Sequence, residues 1–288
     1  MGAEHAKKYS YSYTDCEKNG KSVKCMVPEI LADPDFPSLT EIRIGNWGNS
    51  YDDSCQDIID AIVAKPEKFS HIRKLFIGDM DYEECEVSWI IQGNYSRLWA
   101  ALPGLKSLVI KGSTDLQLGD ICHEGLEELE IICGGLGMSE IQAVQNAKLP
   151  NLKKLLLYIG VEDYGFDGDE DTVSELLEKA DFPNLKYLGI VDSEIQDELA
   201  KAVLSSKFMP QIETLDLSLG TLTDKGGELL LQKLPEFPNI KKLDVHYHYL
   251  SDGMVQKLEN LPLETDVSEQ NEPDVYDGET YMNAMLTE

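Results

Sequence analysis

The sequence predicts an elongated α/β solenoid, a horseshoe with a parallel β-sheet on its concave face and helices on its convex face. Three observations predict it. First, the pattern apolar-x-x-(Leu/Ile)-x-(Ile/Leu/Val) occurs eight times, usually just after Phe-Pro or Leu-Pro: LTEIRI from Leu39, IRKLFI from Ile72, LKSLVI from Leu105, LEELEI from Leu126, LKKLLL from Leu152, LKYLGI from Leu185, IETLDL from Ile212 and IKKLDV from Ile240. Second, successive copies start 33, 33, 21, 26, 33, 27 and 28 residues apart, which is the length of one strand plus one return segment. Third, apolar residues at helical spacing follow the strands, as in Ile58, Ile62 and Val63, Val173, Leu176 and Leu177, Leu199, Val203 and Leu204, and Leu229 and Leu230.

Such units are leucine-rich repeats, and because each buries its apolar face only against its neighbours, residues 36–263 form one continuous body. A terminal repeat needs a cap. In residues 1–35, Tyr9, Tyr11 and Tyr13 alternate, Glu17-Lys18-Asn19-Gly20 reads as a turn, and residues 21–27 read as a return strand, so a capping hairpin is expected there. The unit between Leu105 and Leu126 is too short and too broken by glycine for a full helix, so its outer wall is expected to be a loop or a single turn. Residues 264–288 leave the repeat and turn acidic. They are a C-terminal cap strand continued through Val267 with the segment from Tyr281 folding back, or a loose acidic tail.

Composition restricts the partners. With 53 acidic and 25 basic residues the formal net charge is −28, spread along the chain, which disfavours nucleic acid and anionic membrane. A basic protein or a divalent cation suits the field better. Six cysteines without Cys-x-x-Cys spacing read as reduced thiols. No apolar leader or spanning stretch is visible and Gly2 lacks the Ser or Thr at position 6 of an acylation motif, so a cytoplasmic, non-lipidated monomer is expected.

Side chains at repeat positions 1, 4 and 6 turn inward, so positions 3, 5 and 7 face the concave side. Position 5 carries Arg43, Phe76, Val109, Glu130, Leu156, Gly189, Asp216 and Asp244; position 7 carries Gly45, Gly78, Lys111, Ile132, Tyr158, Val191, Ser218 and His246. Phe76, Val109, Ile132, Leu156, Tyr158 and Val191 therefore form an apolar patch. Glu130, Asp216, Asp244 and His246 lie beside it as an acidic rim. Apolar patches of this kind mark interaction surfaces, and the expected role is capture of a protein partner by these ten residues. A cap, a loop or the C-terminal segment folding over the patch is the competing explanation. If the patch is open, Leu156 and Tyr158 are dispensable for folding.

No nucleophile motif and no phosphate-binding loop is present, so no catalytic residue and no cofactor is assigned. Asp163, Asp167, Asp169 and Asp171 in residues 161–172 resemble a calcium loop in spacing but lack its twelfth-position Glu; a solvated loop opening a helix near Thr172 explains them. The acidic stretch 78–86 reads as a solvated strand-to-helix loop. His246 and His248 with Asp244 raise a metal reading. His248, however, falls at position 9, where such repeats usually carry an inward Asn, and a structural role fits it better. Position 9 otherwise holds Trp47, Met80, Ser113, Gly134, Gly160, Ser193 and Gly220, so the usual asparagine ladder is missing. A metal-binding or enzymatic module on the Asp/His rim and a self-associating subunit remain as alternatives.

The strings IGNWGNSYDDS from Ile44, FIGDMDYEECEVSWI from Phe76, GVEDYG from Gly160, DSEIQDELA from Asp192, LDLSLGTLTDKG from Leu215 and LDVHYHYLSD from Leu243 resemble a group of bacterial leucine-rich-repeat proteins. The resemblance covers residues 36–270 and implies the fold without an activity. The unit lengths are also similar to the ribonuclease-inhibitor type, in which an acidic solenoid captures a basic protein. Irregular repeats and the missing asparagine ladder separate this chain from that type.

Overall fold

A computed structural model describes residues 5–287; residues 1–4, including Gly2, and Glu288 lie outside the described residues. Ten parallel strands follow one another in chain order in a single open sheet: β1 (Ala6–Tyr9), β2 (Glu41–Ile44), β3 (Lys74–Ile77), β4 (Ser107–Lys111), β5 (Glu128–Ile132), β6 (Lys154–Gly160), β7 (Tyr187–Ser193), β8 (Thr214–Asp216), β9 (Lys242–Asp244) and β10 (Glu264–Asp266). This is the leucine-rich-repeat solenoid. The register pairs Leu75 with Leu108, Leu108 with Leu129, Leu155 with Leu188 and Leu215 with Leu243, so position 4 builds one buried wall along the molecule.

The N-terminal cap differs from the expected hairpin. β1 pairs in parallel with β2, and it is followed by helices α1 (Tyr13–Asn19) and α2 (Val23–Ala32). Two local signals explain this. Ser12 and Asp15 form a reciprocal capping box that starts α1, and Gly20, at φ 65°, terminates it in the left-handed region, so Asn19-Gly20 is a helix end and not a hairpin turn. Val23, Met26, Val27 and Ile30 then bury one face of α2 at the i, i+3, i+4, i+7 spacing of a helix.

On the convex side, α3 (Gln56–Val63), the short α4 (Leu98–Ala101), α5 (Met138–Gln145), α6 (Glu170–Lys179), α7 (Gln196–Leu204), α8 (Asp224–Lys233) and α9 (Asp252–Glu259) return the chain. Between β4 and β5 the return is irregular, as the short spacing implied, and single parallel bridges from Ile91 to Thr114 and from Asn94 to Gln117 hold it to the previous unit. None of the described helices is long and apolar enough to cross a membrane.

A different polar ladder stands in for the missing asparagines. Just before position 1, Asn151, Asn184 and Asn239 donate from Nδ2 to Glu124 O, Pro150 O and Met209 O, each at 2.8 Å. Gln211 donates to Phe182 O at 2.8 Å, and the His71 ring contacts Phe36 O at 3.0 Å. Each of these side chains reaches the preceding repeat, satisfying a backbone carbonyl that the turn leaves free. At position 9 His248 fills an asparagine-like role: its ring meets Val267 O at 2.9 Å and accepts the Leu250 N–H at 3.1 Å.

The C-terminus has three parts. β10 continues the parallel ladder from β9. Strands β11 (Asp274–Tyr276) and β12 (Glu279–Tyr281) then form an exposed antiparallel hairpin around Asp277-Gly278, both residues at positive φ as a tight primed turn requires. Finally residues 283–287 fold back over the repeats.

Candidate functional site

Strand pairing aligns the concave residues as repeat position predicts: Arg43, Phe76, Val109, Glu130, Leu156, Gly189, Asp216 and Asp244 are successive partners from β2 to β9. Lys111 pairs with Ile132 and Tyr158 with Val191. The row divides into two halves.

From β2 to β5 the face is open. Phe76, Val109 and Ile132 are half-buried, with charge arranged around them. Arg43 stands over the Phe76 ring at 5.7 Å while pairing with Glu41 at 2.7 Å and Asp79 at 3.4 Å. Glu41, Arg43, Lys74, Phe76, Ser107 and Val109 line a shallow depression of about 190 Å³. Glu130 is tied to Lys154 at 2.9 Å, and Lys154 in turn lies 5.0 Å from the centre of the Tyr187 ring.

From β6 to β9 the face is covered. Leu156, Val191 and Leu219 form a second apolar cluster, separate from the main core, with Tyr158, Tyr187 and Tyr247 packed against it. Leu156 lies over Gly189: a Cβ on that glycine would stand 2.3 Å from Leu156 Cδ1, so the absence of a side chain in β7 lets the leucine lie flat. Across this half run residues 283–287. The Asn283 carbonyl accepts from the phenols of Tyr249 at 3.1 Å and Tyr247 at 3.3 Å. Ala284 is 3% exposed, the Met285 N–H donates to Leu219 O at 2.8 Å, and the Leu286 N–H donates to Asp192 Oδ1 at 2.8 Å. The Thr287 carbonyl comes so close to Gly134 that a Cβ there would meet it at 2.5 Å.

A solved protein from Bacteroides fragilis has the same fold at a TM-score of 0.89 and 44% identity, over 99% of this chain and 78% of its own. The chain belongs to the same leucine-rich-repeat family. Weaker likenesses are to the TLR13-ssRNA13 complex (TM-score 0.40, 16% identity, 95% of this chain and 31% of that one) and to an internalin from Listeria monocytogenes (0.29, 12%, 82% and 76%). No family model matches the sequence, and no curated protein is significantly similar.

In this leucine-rich-repeat protein the ten residues of the expected surface therefore divide. Phe76, Val109, Glu130 and Ile132 lie on the open half, and Tyr158 is half-buried at the boundary. Leu156 and Val191 are not open: they are 6% and 0% exposed, packed with Leu219 under Tyr158, Tyr187 and Tyr247. The expectation that Leu156 is dispensable for folding falls with that burial. Asp216 is not a free rim carboxylate either. Its Oδ1 accepts the Ser218 hydroxyl at 2.6 Å and backbone N–H at 3.1 Å, the Tyr187 phenol donates to Oδ2, and burial pushes its carboxyl above the usual range.

Asp244 and His246 stay partly exposed, and with Asp266 they bring three ligand-type atoms within 4.8 Å of one another. Asp244 is already engaged: Oδ1 holds His246 Nδ1 at 2.7 Å and Oδ2 pairs with the Lys242 ammonium at 3.2 Å. A cation there would have to displace that lysine. His248 faces the other way and is buried, with its ring held below the usual histidine range by loss of water, so it does not join Asp244 and His246. In the acidic loop, Asp167 Oδ1 accepts the Met138 N–H at 2.6 Å at the start of α5, and Asp169 forms a reciprocal capping box with Thr172 at the start of α6. The stretch 78–86 does more than the solvated loop expected: it displays Tyr82, 65% exposed, near Tyr51 and Trp89. Alternation on the strands cannot reveal that aromatic group, since Tyr51 and Tyr82 lie in loops and Trp89 ends a short 3-10 helix.

Proposed function

We propose that the chain is a non-enzymatic, cytoplasmic protein-interaction module that captures a protein partner on its concave face. The observation that carries this reading is the open half, where Phe76, Val109 and Ile132 remain accessible on a rigid sheet with Arg43, Lys111 and Glu130 around them. Apolar groups ringed by charge supply binding energy and orientation together. With a net charge of −28, a basic partner is favoured and its approach is accelerated at low ionic strength. Asp244 and His246 extend the contact toward the last repeats, while Leu156, Val191 and Asp216 are packed in the covered half.

The test is affinity capture from the native host with the full chain and with Phe76→Ser/Val109→Ser. A partner retained by the parent, lost by a double variant of unchanged melting temperature, and released by salt supports the reading. Retention by the double variant moves the contact to another face.

A further inference from the structure

The loops that leave β2 and β3 display an aromatic group on a fixed base. Tyr51, Tyr82 and Trp89 are 52%, 65% and 59% exposed, and with Glu83 and Glu86 they line one shallow depression of about 330 Å³. Beneath them the backbone is held. Buried Ser50 reaches Met80 Sδ through its hydroxyl at 3.3 Å and accepts the Ile91 N–H at 2.9 Å, while the side chains of Asp81 and Glu84 each accept the other's backbone N–H. Val87 and Ile90 are buried and anchor the turn that carries Trp89. The other two tryptophans are also buried: Trp47 donates its indole N–H to Asp53 O at 2.7 Å and Trp99 to Leu118 O at 2.8 Å. Trp89 has no such acceptor among the described residues, so its ring and its N–H both face water. Large exposed aromatic groups on a rigid frame mark contact sites.

Elsewhere the chain completes such groups itself. In four places a cation stands over an aromatic ring and pairs with a carboxylate: Lys7 over Tyr9 with Asp33, Lys21 over Tyr11 with Glu29, Arg43 over Phe76 with Glu41, and Lys154 over Tyr187 with Glu130. The depression has the rings and the carboxylates of that arrangement without the cation. Among the described residues no Lys or Arg stands over Tyr51 or Trp89, and none pairs with Glu83 or Glu86. We propose that this depression docks an arginine side chain of a partner protein. A guanidinium is planar and weakly hydrated, so it stacks on an open ring face while its edge donates to carboxylates beside the ring. Lysine fits less well, because its ammonium holds water that a shallow depression does not replace. Free arginine also fits less well, since its own carboxylate would meet Glu83 and Glu86. The net charge of −28 draws a cation toward the site. None of these residues belongs to the open half of the concave face, so the inference stands apart from what that face binds.

The probe is the blocked peptide acetyl-Gly-Gly-Arg-Gly-Gly-amide, titrated into the full chain at about 0.15 M salt, where attraction from distant charges is screened. The readout is the indole N–H resonance of Trp89 by NMR, one of three such resonances in the chain. A saturable shift of that resonance is expected, with those of Trp47 and Trp99 unmoved. Glu83→Gln/Glu86→Gln and Tyr51→Ala remove surface groups, are expected to melt with the parent, and should each weaken the binding roughly fivefold or more. A response that survives both variants overturns the inference, and so does the absence of any saturable shift. In the unaltered chain, the same peptide with citrulline for arginine keeps the shape without the charge and should leave Trp89 unmoved; an equal shift overturns the inference whatever the variants do. A lysine peptide that binds tighter than the arginine peptide overturns the guanidinium assignment. Free L-arginine that binds tighter than the peptide assigns the depression to a small molecule and also overturns it.

Discussion

The two halves of the concave face are built on the same strands in the same register, yet one is open and the other closed. From β2 to β5, Phe76 and Val109 share the surface with Arg43 and Lys74, and their neighbours at position 7 are Gly78 and Lys111, so no apolar cluster closes over them. From β6 to β9, Gly189 lets Leu156 lie flat, Val191 and Leu219 join it, and a segment 94 residues away from Asp192 in sequence is bonded to Leu219 and Asp192 beside them. The difference teaches that repeat position determines which way a side chain faces, whereas its burial is decided by segments outside the repeat.

The largest expected effect belongs to the wall that both halves share. Leu188→Asp places an unpaired carboxylate at a fully buried position and is expected to cost about 3–5 kcal/mol or more, abolishing the cooperative melt; a soluble variant with an unchanged midpoint would refute the register. Next comes the contrast itself. Leu156→Ala in the covered half is expected to cost roughly 2–4 kcal/mol in urea unfolding, and Val109→Ala in the open half less than about 1 kcal/mol. Equal losses would erase the distinction between the halves.

A pH series sharpens the comparison further. Burial pushes the Asp192 carboxyl up to about 8, outweighing the backbone N–H groups of Leu286 and Met285 that stabilise its charged form. The native state thus holds a proton that the unfolded chain releases in the ordinary carboxylate range. Its stabilising contribution is complete below that range, declines as pH rises, and is gone once pH passes about 8. Melting temperature should therefore fall across this window in the parent and fall less in Asp192→Asn. Identical slopes would show that Asp192 does not titrate beside residues 283–287. The smallest effect concerns charge alone: the chain should pass through a heparin column at about 0.15 M salt, and retention there would reveal a basic patch that the net charge of −28 conceals.

Much of the site was legible because strand alternation is strict. The period of two placed Phe76, Val109, Glu130 and Leu156 on one face, and the pairing aligns them as neighbours. One local signal points the wrong way: Asn19-Gly20 resembles a hairpin turn until Ser12 and Asp15 are recognised as a capping box. Asp277-Gly278, the turn of the hairpin that does form, lies in a stretch whose acidity hides its strand character. The ladder of Asn151, Asn184 and Asn239 was present in the Pro-Asn-Leu and Pro-Asn-Ile strings. It went unseen because the expected asparagines follow the strand, and these precede it.

The sequence by itself determined the solenoid, the strand order, the inward wall and the sign of the surface field, because each follows from local periodicity and from counting charges. The tertiary structure decided which concave residues are exposed, that Asp216 is a buried hydrogen-bond acceptor, that His248 turns inward, and that the C-terminus closes half of the groove. These outcomes depend on pairs such as Leu219 with Met285 and Asp192 with Leu286, which are distant in the chain and share no repeat, so no periodic pattern encodes them; they are selected by burial of apolar surface and satisfaction of backbone groups in the folded state.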